Sequence, residues 1–212
     1  MSTEKTAESS EDFASVSVNL PVPADELYIF ICDIERFLRI NPYLEIKNWK
    51  EEAKGKLHTG KLIKADLLNE MNGLRQALVM SVGDVQAGKS FSLKYDVGLK
   101  QSTLFAVEFL TPYTSRLSVK EIYPAEMSAS EKEKRLNEVD NSLLPWGEAI
   151  HSYFMRRKRW SFFPYFNWLQ NVFWMKMSPR HRRISRLIIW TTVLEFVVFI
   201  FVFAIYWTEI AR

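Results

Sequence analysis

Cysteine is nearly absent: Cys32 stands alone in 212 residues. One thiol excludes an intramolecular disulfide framework and any cysteine-built metal cage. Histidine is almost as scarce, and His58, His151 and His181 have no cluster of carboxylates or cysteines beside them. A metal site needs such a cluster, so neither a metal nor any other cofactor is expected. Seven glycines and eight prolines are too few for a fibrous or low-complexity chain. Acidic residues vanish between positions 156 and 186. What is present is core-forming material, 48% hydrophobic and 14% aromatic, which excludes a disordered chain. The length allows one ordinary domain and an appendage.

The net charge of +3 joins unlike parts. Residues 1–155 carry 18 Lys and Arg against 23 Asp and Glu, a net of −5. Residues 156–186 carry nine basic side chains and no acidic one, a net of +9. Residues 187–212 carry Arg212 against Glu195 and Glu209, a net of −1. The basic character belongs to one short segment and points to a local anionic partner.

Leu187 to Trp207 reads LIIWTTVLEFVVFIFVFAIYW, 21 residues with one ionisable group. At ~1.5 Å per residue it reaches about 30 Å, the hydrocarbon thickness of a bilayer. Tyr206 and Trp207 stand at its far end, where amphipathic rings prefer the interface. Arg180, Arg182, Arg183 and Arg186 crowd its near end. Ser178-Pro179 supplies a capping side chain and a proline at the first helical position. A transmembrane helix over 179–209 is expected; the alternative, a buried core helix, has no need to be apolar all round. Only five residues follow the span, a tail-anchored arrangement, and the acidic start MSTEKTAESSED is not a secretory signal. By the positive-inside rule the large domain faces the cytoplasm.

Glu195 falls near the middle of the span, where a carboxylate costs roughly 2.5–3.5 kcal/mol unless protonated, paired or facing protein. Thr191, Thr192 and Glu195 share a helix face. Two readings stand open: a contact with a second copy or another membrane protein, and a protonated carboxyl bonded within its own helix.

Between domain and span, residues 156–177 read RRKRWSFFPYFNWLQNVFWMKM, with eight aromatics in the fifteen positions 160–174. Basic plus aromatic also describes a nucleic-acid surface, since bases stack on rings. Beside a membrane span, the simpler reading places rings at headgroup depth and cations on anionic lipid. Arg156, Arg157, Lys158, Arg159, Trp160, Trp168, Trp174, Arg182, Arg183 and Arg186 form this membrane-surface set, and no nucleic-acid partner is expected. Packing of the segment back onto the domain is the competing reading. Pro164 splits the stretch in two.

The soluble part has a legible order. Phe13 to Val22 alternates as a strand. Pro23 opens a helical stretch in which Leu27, Phe30, Ile31, Ile34, Phe37 and Leu38 recur at helical spacing, with Asp25 and Glu26 in the first turn. Pro42 ends it. Leu44 to Trp49 is a short extended run, and Leu62 to Leu68 and Leu74 to Val85 flank Asn72-Gly73, a hairpin signal. Phe91, Leu93, Tyr95 and Val97 alternate with polar residues, Phe105, Val107 and Phe109 form the next apolar face, and Arg116 to Tyr123 is the last strand. Ser128 with Glu131, and Ser130 with Glu133, have capping-box spacing. Leu136, Val139, Leu143, Ile150 and Phe154 then follow one helix face, with Pro145 as a kink or restart.

Strand, helices, a run of strands, then a long helix: this order resembles the START-like, or SRPBCC, helix-grip superfamily of lipid-transfer proteins and polyketide cyclases. The likeness is carried by the opening unit from Val18 to Pro42, with Pro23-Ala24-Asp25-Glu26-Leu27 and Asp33-Ile34-Glu35-Arg36-Phe37, and by Trp146-Gly147 in the last helix. It implies an α+β fold in which a curved antiparallel sheet of about seven strands wraps a long C-terminal helix. It also implies a cavity between them for a lipid or other hydrophobic small molecule. The expected organisation is a disordered N-terminus over 1–12, a START-like ligand-binding domain over 13–158, the interfacial segment over 159–178 and the transmembrane helix. Candidate cavity-lining residues are Ile63, Ala65, Leu67, Met80, Phe91, Leu93, Tyr95, Phe105, Val107 and Phe109 from strands, with Leu143, Ile150 and Phe154 from the helix. Each is equally an ordinary core residue by alternation alone.

No catalytic set is apparent. Cys32 lies in an apolar helix turn and reads as buried and inert. The string G-x-x-x-x-G-K-S is literally present from Gly83 to Ser90, but a phosphate loop opens a helix, whereas the next residues alternate as a strand. Asp66, Glu70, Asp96 and Glu108 lie nearest the apolar face, yet Asp96 and Glu108 fall in the opposite phase, toward solvent. The leading expectation is a membrane-anchored, cytoplasm-facing domain that binds, transfers or presents a hydrophobic molecule. An assembly protein of a membrane complex and a cyclase or dehydratase are the alternatives; a tyrosine–acid pair inside the cavity would favour the enzyme.

Overall fold

Residues 12–52, 57–71, 73–126, 128, 130–133 and 142–210 are described by the computed structural model. Alternation builds β1 (Asp12–Leu20), which buries Ala14 and Leu20. Two short helices follow, α1 (Ala24–Cys32) and α2 (Ile34–Leu38). They separate at Asp33, whose carboxylate accepts from the Arg36 backbone N–H at 3.3 Å and caps α2. All six apolar residues at helical spacing in this stretch are buried.

Six strands come next: β2 (Leu44–Glu51), β3 (Leu62–Asn69), β4 (Arg75–Gln86), β5 (Ser90–Tyr95), β6 (Ser102–Thr111) and β7 (Thr114–Tyr123). They join β1 in one antiparallel sheet of order β1-β7-β6-β5-β4-β3-β2. The first strand closes on the last, with Val16 opposite Val119, and α1 and α2 carry the chain from one sheet edge to the other. The phosphate-loop-like string is a hairpin. Gly88, at φ +77°, makes the β4–β5 turn, and Gly83 admits β5 so closely that a Cβ would lie 2.2 Å from Ser92 Oγ.

At Ser128 the capping box forms: its N–H donates to Glu131 Oε2 at 2.8 Å, and the Glu131 N–H donates to Ser128 Oγ at 3.4 Å. Leu136 and Val139 lie outside the described residues. Helix α3 (Leu144–Arg159) carries Pro145 in its first turn. It crosses β1 closely at Gly147, where a Cβ would meet Val16 Cγ2 at 2.9 Å. The core lies between helices and sheet. Phe30, Phe37, Phe91, Phe105, Trp146, Tyr153 and Phe154 form its aromatic centre.

Beyond α3 come α4 (Pro164–Trp168), a π-helical turn (Leu169–Phe173), a 3-10 turn (Trp174–Lys176) and α5 (Pro179–Ile210). By length and composition α5 is able to cross a membrane, and none of its most apolar stretch is buried.

Candidate functional site: a cavity at one end of the sheet

The sheet curves away from α2 and α3 at one end and leaves an open-mouthed cavity of about 740 Å³. Leu67, Leu78, Met80 and Tyr95 form its sheet wall, and Leu38 and Trp146, with Asn41 from the turn after α2, its opposite wall. Met71 and Leu74 from the β3–β4 connection, and Val97 and Leu99 from the β5–β6 connection, complete it. Met71, Leu74 and Val97 are exposed apolar residues at the mouth.

One wall is polar. Lys100 pairs with Glu121, and the Tyr123 hydroxyl donates to the second Glu121 oxygen at 2.7 Å. Lys100 and Glu121 line the cavity; Tyr123 stands behind them, fully buried. The Tyr95 hydroxyl shares a hydrogen bond with Thr103 at 3.0 Å. Burial works against the Lys100 ammonium, but Glu121, with Tyr95 and Tyr123, outweighs it and pushes the Lys100 pKa up. Burial raises the pKa of the Tyr95 hydroxyl, which stays neutral. The pair therefore presents no net charge to the cavity. The Trp146 indole N–H is buried without a partner among the described residues.

Of the thirteen residues proposed from sequence, Leu67, Met80 and Tyr95 line the cavity. Ile63, Ala65, Phe91, Leu93, Phe105, Val107, Leu143, Ile150 and Phe154 are buried in the core below it. Phe109 corrects the expectation. It is 64% exposed, at the far end of β6 beside an irregularity in pairing with β7. The strand outruns the layer that would cover it. Cys32 is half-buried rather than buried; burial pushes its thiol pKa up, so it stays protonated. Among the described residues, no group of His, Cys, Asp and Glu is able to hold a metal ion.

Glu121 escaped the sequence reading although its signal was present. It falls in phase with Leu117, Val119 and Tyr123, every second residue of β7, and all four are buried. Lys100 sits in a connection with no periodicity to betray it.

The basic and aromatic segment has two faces. Gln170 and Met175 are buried against the domain, and Asn171 Oδ1 accepts from Arg36 at 2.6 Å and from the Tyr153 hydroxyl at 3.1 Å. The other face leaves Trp160, Phe162, Tyr165, Trp168 and Phe173 exposed, and Trp174 half-buried. Trp160 stacks on Phe162 and Phe166. Arg156, Arg157, Lys158 and Arg159 end α3, and Arg157 donates to Glu26 at 2.6 Å. Arg186 is exposed. Arg182 and Arg183, expected on lipid, turn onto the domain instead, because backbone carbonyls and Glu70 lie within their reach. On α5, Thr191 Oγ1 donates to the Leu187 carbonyl at 3.1 Å, and Thr192 and Glu195 are exposed.

Sequence comparison finds no matching family model and no matching characterised protein. Structure comparison does find solved structures of this architecture. The Zhui aromatase/cyclase from Streptomyces sp. R1128 superposes with a TM-score of 0.56 at 13% identity, over 71% of this chain and 98% of its own. The fold is START-like. A START superfamily protein from Mycobacterium smegmatis aligns at a TM-score of 0.51 and 14% identity, over 68% of this chain and 97% of its own. A protein from Nitrosomonas europaea aligns at 0.54 and 8%, over 72% and 99%. These superpositions establish the START-like fold, and at such low identities they leave the chemistry to the cavity itself.

Proposed function

We propose that this chain is a membrane-anchored, cytoplasm-facing START-like domain that binds a hydrophobic small molecule and exchanges or presents it at one membrane. The single observation that carries the reading is the cavity of about 740 Å³, with apolar walls and a few convergent polar groups. That volume falls within the roughly 300–1,000 Å³ of sites for drug-sized ligands. It suits a single-chain or ring-bearing amphiphile. Because Lys100 and Glu121 neutralise one another, the favoured head is uncharged, a hydroxyl or carbonyl. The apolar α5 and the exposed aromatic face of residues 160–173 support the membrane setting, with rings at headgroup depth and Arg156, Lys158, Arg159 and Arg186 facing anionic lipid.

The test is native mass spectrometry of the full chain released from detergent micelles. The expected spectrum shows one retained hydrophobic molecule per chain. Leu78→Trp, which thrusts an indole into the cavity from β4, is expected to weaken retention of that adduct. A wild-type chain that never retains or takes up a hydrophobic molecule would sink the reading.

One observation favours a second reading, a cyclase or dehydratase on a membrane-held substrate. Glu121, which lines the cavity, accepts a hydrogen bond from Tyr123 behind it, a tyrosine–acid pair of the kind general acid–base chemistry uses. If such chemistry occurs, a poly-β-carbonyl thioester incubated with the protein loses one water, and Glu121→Gln abolishes that loss while still binding the thioester. An unchanged substrate mass together with an unchanged ultraviolet spectrum, which a mass-conserving cyclisation would alter, would leave binding as the activity.

A further inference from the structure

The first turns of α5 are tied down. Arg182 Nη1 donates to the Arg39 carbonyl at 2.8 Å, and Nη2 to that of Asn41 at 3.4 Å. Arg183 Nη1 donates to the Pro42 carbonyl at 2.9 Å, and its Nη2 pairs with Glu70. The Arg180 backbone N–H donates to the other Glu70 oxygen at 3.0 Å. The apolar run begins at Leu187, about one helical turn after Arg183.

Both receiving segments belong to the cavity rim. Asn41, in the turn after α2, lines the cavity, and so does Met71, the neighbour of Glu70. The antiparallel order puts the β3–β4 and β5–β6 connections at this same end of the sheet. They carry the exposed apolar Met71, Leu74 and Val97. The mouth and the root of the membrane helix therefore share one end of the domain.

An ordinary basic flank keeps its cations in water or on lipid phosphate. Here Arg182 is 9% exposed and serves backbone carbonyls just after α2, acceptors that a helix end leaves without partners. Burying a guanidinium without a carboxylate in direct contact is costly. The return on that cost is a fixed geometry between helix and rim.

We propose that the root of α5 is a clamp that holds the cavity mouth against the bilayer, so that a hydrophobic ligand passes laterally between membrane and cavity without crossing water. The inference rests on the ligand-binding reading above. A mouth held at the surface meets ligand at the concentration of the bilayer. A mouth free to swing on a loose root meets it as a solute, and the tethering advantage falls.

The experiment uses the full chain in phosphatidylcholine vesicles that contain a rhodamine-labelled phospholipid. A nitrobenzoxadiazole-labelled fatty alcohol, whose head is an uncharged hydroxyl, enters the bilayer, is quenched there, and brightens on reaching the cavity. The double variant Glu70→Gln/Arg183→Gln is expected to brighten at least about tenfold more slowly than wild type, with the same final amplitude. The exchanged pair Glu70→Lys/Arg183→Glu restores the ion pair but not the Pro42 and Arg180 hydrogen bonds, and is expected to recover part of the rate. Equal rates in all three proteins, with equal amplitudes, would overturn the clamp and leave ligand binding intact. A lost amplitude in the double variant, with unchanged melting, would also overturn it, because Glu70 and Arg183 would then serve the cavity itself. No brightening in any protein, and no probe bound by the detergent-solubilised wild type, would remove the ligand-binding reading and the clamp with it.

Discussion

Truncating Phe37 to alanine is expected to cost about 4 kcal/mol, the middle of the range for emptying a buried aromatic site. Phe37 has no exposed surface, and three aromatic neighbours hold it. Its ring meets Phe105 edge-on at 5.4 Å and Phe30 edge-on at 6.5 Å, and lies tilted against Trp146 at 5.0 Å. Such pairs add about 0.5–1.5 kcal/mol beyond the area they bury. The residue is also a crossing point. It stands on α2, contacts the sheet through Phe105 and reaches α3 through Trp146, so collapse into the void would have to move three elements at once. For a chain of this length the loss corresponds to a fall of roughly 10 °C in the melting midpoint. Thermal melts of the two full-length proteins in the same lipid nanodiscs measure it. A loss below about 1 kcal/mol would show that the site relaxes freely, contrary to a close-packed interior.

The second large effect concerns the polar wall of the cavity. Lys100→Met keeps most of the side chain's length and removes its charge, leaving the Glu121 carboxylate, 5% exposed, with Tyr123 as its direct side-chain donor among the described residues. Removing one partner of a buried pair costs about 3–5 kcal/mol. The Lys100 side chain is 28% exposed, so solvent screens part of the pair and about 3 kcal/mol is expected. Adding Glu121→Gln should return most of it, since the neutral amide oxygen still accepts from Tyr123 and no buried charge remains. Melts of the four proteins of this cycle at neutral pH give the coupling directly. A double variant no more stable than Lys100→Met would refute it.

The same pair sets a pH dependence. The folded-state pKa of Lys100 is raised, so its contribution is fully present below the unfolded value of about 10.4 and is lost as pH rises through the folded value. Tyr95 acts in the same direction, because burial keeps its hydroxyl protonated after the unfolded chain has ionised. The stabilisation from these two groups should therefore hold through neutral pH and fall in the alkaline range. In Lys100→Met the lysine part of that alkaline loss should disappear.

Much of this architecture is written in local pattern. The apolar run from Leu187 to Trp207 marks a possible membrane span because a bilayer imposes a length and a composition that few soluble helices share. The seven strands and the opening helices follow from periods of two and about 3.6, punctuated by Pro23, Pro42, Gly88 and Pro145. The Ser128–Glu131 box was equally legible, since its bonds join residues three apart.

The cavity was not legible in this way. Period two says that Phe91, Phe105 and Leu67 face inward, but it is silent on whether helix or empty space lies opposite. That depends on where the curved sheet parts from α2 and α3, and so Leu67 lines the cavity while Phe91 and Phe105 are core. Phe109 obeys the same alternation and is exposed, because burial also requires a covering layer at that point along the strand. Lys100 and Glu121 are 21 residues apart, and Arg182 reaches Arg39 across 143. Local sequence determined which elements form and which faces are apolar, because those depend on neighbours a few positions away. Tertiary structure alone decided where the sheet leaves room, which charges meet, and which arginines reach the cavity rim, because only packing brings distant side chains within bonding distance.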